Sequence, residues 1–136
     1  MFSGDVLICR LAEPAGRSCI VPELHESKMI TSVDVTIFRP VKELALKEYL
    51  VQFFSTSNWF KMVEEKCGGS TRTRIARGQL GQLKIKVPPI PEQKAIAEVL
   101  SDMDAEITAL EAQRDKTRAI KQGMMQELLT GKTRLI

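Results

Sequence analysis

Hydrophobic residues along this chain follow two periods, and the last change between them falls at a run of prolines. Val33, Val35 and Ile37 alternate with Asp34 and Thr36, the period of two expected of a strand with one wet face. The apolar run Val6-Leu7-Ile8-Cys9, opened by Gly4-Asp5 and closed by Arg10, predicts a buried strand. Cys19-Ile20-Val21, set between the loop Glu13–Arg17 and Pro22, predicts a shorter one. Beyond Pro40 the pattern turns helical, with Leu44, Leu46, Tyr49, Leu50, Phe53 and Phe54 on one broad face. Ser55-Thr56-Ser57-Asn58 offers capping chemistry for a second short helix carrying Trp59, Phe60 and Val63, which Gly68-Gly69 stops. After Gly78 and Gly81, Leu83-Lys84-Ile85-Lys86-Val87 alternates again and predicts a last strand.

The prolines follow, in Pro88-Pro89-Ile90-Pro91, and then a helix-forming run without proline reaches Leu129. Proline in a first helical turn sacrifices no needed hydrogen bond, and Gly131 suits the stop. A helix of roughly 38 residues would be about 57 Å long. A domain this small does not need such a helix to close its core, so a spacer or a docking element is expected. The chain therefore reads as α+β: a small mixed domain over residues 1–88, then a long helix over 89–136.

Within the helix Ile96, Leu100, Met103, Ile107 and Leu110 step by four and three, as coiled-coil seam positions do. Arg114, Thr117 and Lys121 interrupt the seam, and Ile120, Met124 and Leu128 resume it on a shifted stripe. Residues 92–111 hold six acidic side chains against Lys94, whereas 114–134 hold six basic ones against Asp115 and Glu127. Part of that polarity complements the helix dipole. The rest suits antiparallel pairing with a second helix in a two-fold homodimer, acidic half beside basic half, where parallel pairing would stack like charges.

Composition changes this picture little. A net charge of +3 on 136 residues is weak evidence for a polyanionic partner. Cys9, Cys19 and Cys67 lack C-x-x-C spacing and read as reduced thiols of a cytosolic protein. Met1–Asp5 has neither the basic start nor the apolar core of a signal peptide, and no apolar stretch is long enough to span a membrane. A soluble, cytoplasmic protein is expected.

Catalytic chemistry is not evident. His25 has neither metal-ligand neighbours nor a nucleophile beside it in sequence. Thr130-Gly131-Lys132-Thr133 imitates the end of a phosphate-binding loop, but Gln126 stands where glycine is needed and a helix precedes it instead of a strand. Pro88–Pro91 satisfies P-x-x-P, yet a strand-to-helix corner explains it. No catalytic residue, metal site or cofactor is expected, and the chain does not read as an enzyme. The strongest binding signal is the loop from Ser70 to Arg77. There Arg72, Arg74 and Arg77 interleave with the hydroxyls of Ser70, Thr71 and Thr73. Arginine forks and small donors suit phosphate oxygens and guanine edges. Arg10 and Arg17, near predicted strand ends, are weaker DNA-binding candidates.

Two segments together carry a resemblance: Leu83–Leu100, containing Pro88-Pro89-Ile90-Pro91-Glu92-Gln93, and Lys121–Leu135, containing Leu128-Leu129-Thr130-Gly131-Lys132-Thr133-Arg134-Leu135. They resemble the specificity subunit of type I restriction-modification systems, as do Gly4–Ile8, Ile37–Pro40 and Tyr49-Leu50. The resemblance implies that the globular part is a target recognition domain reading one half of a split double-stranded DNA site. It also implies an antiparallel helical spacer, with methyltransferase and restriction subunits as partners and all catalysis on those partners. Such subunits generally carry two recognition domains and two long helices. This chain resembles a C-terminal half that enters its recognition domain partway through. The competing expectation is a helical dimerisation and methyltransferase-docking protein without competent DNA recognition.

Overall fold

The strand Val6–Cys9 (β1) lies at the centre of a three-stranded sheet in the computed structural model, which describes residues 1–11, 14–23, 29–68 and 73–136. Its neighbours are Ser18–Ile20 (β2) and Val35–Phe38 (β3), antiparallel on either side, with Val6 opposite both Ile20 and Phe38. The strand with the longest apolar run thus takes the most covered place. The turn into β2 is closed by Gly16 N–H donating to the Cys9 carbonyl at 2.8 Å and Cys9 N–H donating to the Arg17 carbonyl at 2.8 Å.

Two helices cover one face, Lys47–Phe53 (α1) and Ser57–Glu64 (α2). Leu50, Phe54, Trp59 and Val63 meet Val6, Ile8, Ala15, Ile75 and Leu80 in a single buried cluster. The rings of Phe54 and Trp59 stand 4.4 Å apart between centroids, a spacing at which aromatic pairs add to area burial. Thr56 caps α2 by accepting from Trp59 N–H at 3.3 Å. A two-residue ladder pairs Cys67–Gly68 (β4) with Arg74–Ile75 (β5), and Arg77–Gly81 (α3) follows.

The last element is Ile90–Leu129 (α4), 40 residues long. It ends as glycine placement predicts: Gly131 takes a φ of +72°, and its N–H donates to the Leu128 carbonyl at 3.3 Å. The chain divides into two compact units, Met1–Ala97 and Glu98–Ile136, so the first two turns of α4 belong to the first unit.

The α+β expectation holds, with local corrections. β3 begins at Val35 and leaves Val33 exposed. The run expected as a loop from Ser70 to Arg77 includes a strand, Arg74–Ile75, and the start of α3. Leu83–Val87 forms no strand; the segment pairs with no described neighbour and leads directly into α4. Leu83 and Ile85 still pack partly on the core while Lys84 and Lys86 stay exposed. Alternation reports one covered face, which an extended segment can have without ladder hydrogen bonds. The first helix also starts at Lys47, later than its apolar pattern suggests, because Leu44 and Ala45 N–H groups both donate to the Val41 carbonyl in a turn. Leu44 is left 66% exposed.

Candidate nucleic-acid interface

The basic run singled out by the sequence, Ser70 to Arg77, includes β5 and the start of α3. Ile75 is fully buried and fixes β5, so Arg74, its neighbour on the opposite face, is directed outward. Ile75 N–H donates to the Arg10 carbonyl at 3.1 Å, and Arg74 bridges to Leu11, which joins the ladder to the end of β1. Ser70, Thr71 and Arg72 lie outside the described residues. Thr73, Arg74 and Arg77 are all exposed, and Arg77 opens α3.

Arg74 is held by Asp34, with Nη2 to Oδ1 at 2.7 Å. The arginine side chain is 49% exposed, and an ion pair that wet contributes at most about 1 kcal/mol. Such a pair orients the guanidinium while leaving it open to a competing phosphate. Arg77 stands on the rim of an apolar cleft of about 250 Å³ that Thr36, Phe38, Phe54 and Trp59 also line.

Arg10 occupies a different environment. Val6, Ile8 and Arg10 share one side of β1, and that side faces the core, so Arg10 is only 9% exposed. Its guanidinium donates to the Val33 carbonyl through Nη2 and to the Ile75 carbonyl through Nη1 at 3.4 Å. Arg10 therefore ties β5 and the residues before β3 to β1. Strand parity with Val6 and Ile8 is the signal for it in the sequence. Arg17 is exposed at the start of β2.

A second cationic group has no local signal in the sequence. Arg39 grips the buried carboxylate of Asp5 with two bonds, Nε to Oδ1 at 2.6 Å and Nη2 to Oδ2 at 2.8 Å. Those bonds hold the Asp5 carboxyl below the usual carboxylate range, against the opposing effect of its burial. Arg39, Lys42 and Lys47 line a cleft of about 510 Å³ with Gly4 and Leu46. Burial pushes the Cys67 thiol up, away from the reactive thiolate.

In the second unit the seam residues Met103, Ile107, Leu110, Ile120 and Met124 are each more than half exposed. Ile96, Leu100 and Leu128 are partly covered. Near the end of α4, Ile120, Met124, Met125, Leu128 and Leu129 line an open apolar groove of about 410 Å³. Among the described residues no helix is long and apolar enough to cross a membrane.

Residues 2–118 match the family described as the type I restriction modification DNA specificity domain. Over 135 residues, 96% of this chain, the sequence is 32% identical to a protein of Methanocaldococcus jannaschii assigned as the type I restriction enzyme MjaX specificity subunit. It is 31% identical over 81 residues, 60% of the chain, to the type I restriction enzyme MjaVIII specificity subunit of the same organism. The matched part is 31% of the first relative and 19% of the second, so the chain spans about a third of the first relative's length.

Proposed function

The chain belongs to the type I restriction modification DNA specificity domain family, and we propose that it reads one half of a split duplex DNA site within such an enzyme. The observation that supports DNA contact best is the exposure of Thr73, Arg74 and Arg77 on either side of buried Ile75, which fixes β5. Ser70, Thr71 and Arg72 extend the same basic run in sequence. Base edges would be read by side chains of this loop, and phosphates neutralised by its arginines.

In this reading the globular part and α4 divide the work, recognition before residue 89 and spacing after it. Two chains pair through α4 in antiparallel fashion. The exposed seam residues supply the apolar contact, and the acidic first half lies beside the basic second half. The helical face also receives a methyltransferase subunit, and a restriction subunit completes the enzyme. Methylation and cleavage belong to those partners, and the chain itself is non-catalytic and cytoplasmic.

Selection from a random duplex library tests this, using the chain co-purified with its methyltransferase subunit. The expected product is a pair of defined half-site words at a fixed separation. A complex that forms but enriches no sequence would overturn the DNA-reading assignment.

A further inference from the structure

We propose that Gln93 is a positioning residue for DNA recognition: it fixes the start of α4 on the globular unit, and so sets the spacing at which paired chains read their half-sites. The inference rests on the half-site reading above. Its basis is a side chain with no exposed surface at all. The Gln93 carboxamide directs its hydrogen bonds to backbone outside its own helix. Oε1 accepts from Leu46 N–H at 2.9 Å, while Nε2 donates to the Leu44 carbonyl at 3.0 Å and to the Pro88 carbonyl at 2.7 Å. Both amide hydrogens and one acceptor site are used, and all three partners lie in the first compact unit.

Burial alone does not explain an amide here. A leucine of similar size would fill the space without the desolvation cost that a primary amide carries into an apolar site. What the amide adds is direction. Hydrogen bonds hold only over a few tenths of an ångström and within a restricted angle. Three of them, to two separate segments, restrict both rotation and translation of the helix start. Ala97, one turn further along the same face, is also buried. Its small side chain lets the helix lie close while leaving the aim to Gln93.

Length turns this local clamp into a large effect. A 40-residue helix is about 60 Å long, so a tilt of roughly 10° at its base moves the far end by about 10 Å. That is about three base pairs at 3.4 Å each. A loosened clamp should therefore disturb spacing before it disturbs the reading of either half-site.

The experiment is library selection by the complete complex carrying wild-type chain, Gln93→Met or Gln93→Asn, with thermal melting run in parallel. Methionine keeps volume and removes every hydrogen bond. Asparagine keeps the amide but falls one methylene short, and carries the test if the methionine variant does not fold. The wild type is expected to enrich its two words at one separation. Each folded variant is expected to enrich the same words at two or more separations. Variants that retain the single wild-type separation, with only lower yield or melting temperature, would show that Gln93 merely stabilises the fold and would overturn the inference. A wild-type complex that enriches no split site would instead remove the half-site reading on which the inference stands.

Discussion

The indole N–H of Trp59 donates to the carbonyl of Gly16 across 2.9 Å, tying the second helix to the turn between the first two strands. Gly16 has a φ of +95°, and a Cβ there would lie 2.8 Å from Trp59 Nε1 and 3.0 Å from Val63 Cγ2. Backbone strain and overlap act together at this position. Gly16→Ala is expected to destabilise by at least about 2 kcal/mol, lowering Tm by on the order of 10 °C. Thermal melting followed by circular dichroism checks this; an unchanged Tm would mean that the turn repacks freely.

The Asp5–Arg39 pair predicts a pH dependence. Asp5 binds its proton less tightly in the folded chain than in the unfolded one. The pair therefore stabilises the fold where an unfolded aspartate is ionised, above about pH 4, and that contribution disappears as pH falls through the lowered folded-state value. Arg39→Met should be less stable than the wild type at pH 7 and should converge with it on acidification. Denaturant midpoints at pH 7, 5 and 3 measure the difference; a gap that widened toward pH 3 would contradict this assignment.

Arg10 and Arg74 should separate stability from binding. Arg10→Met removes the guanidinium that donates to the Val33 and Ile75 carbonyls and is expected to cost about 1–3 kcal/mol of stability. Arg74→Ala with Arg77→Ala should cost at most about 1 kcal/mol, the contribution of the half-exposed Arg74–Asp34 pair. In a DNA titration the double variant should bind more weakly at every salt concentration. Its log–log salt slope should fall by about 0.9 for each phosphate that the arginines no longer neutralise. Unchanged affinity and slope would remove this loop from the interface.

Pairing of α4 has a geometric test. Antiparallel chains bring Leu100 of one copy toward Met124 of the other, whereas parallel chains bring identical positions together. A mixture of Leu100→Cys and Met124→Cys chains, in a background with the native cysteines replaced, should form the mixed disulfide in preference to either homodisulfide. Predominant homodisulfides would indicate parallel pairing.

The parts legible in the sequence are those where one period dominates. β1 spans the four residues that its apolar run marks, and α4 runs from the proline corner to the residues just before Gly131. Leu83–Val87 misleads because period two records burial on one side, and hydrogen-bond pairing depends on neighbours that the local pattern does not contain. Arg10 reads as a surface arginine at a strand end, although its parity with Val6 and Ile8 places it on the inner face. Gln93 stands out only as part of a motif, since a polar residue in a first helical turn ordinarily faces water. Its three partners come from Leu44, Leu46 and Pro88, two of them more than 40 positions away. Arg39 does not stand out because its partner, Asp5, is likewise distant in sequence.

In the function proposed above, two copies of this chain assemble, each reading half of one DNA site. Mapping of adenine methylation across the genome of cells expressing the chain with its methyltransferase subunit tests it most directly. Methylation is expected at a split motif whose two halves are the same word in opposite orientation, separated by one fixed spacer. Methylation at an asymmetric motif, or none despite a stable complex of the two proteins, would contradict it.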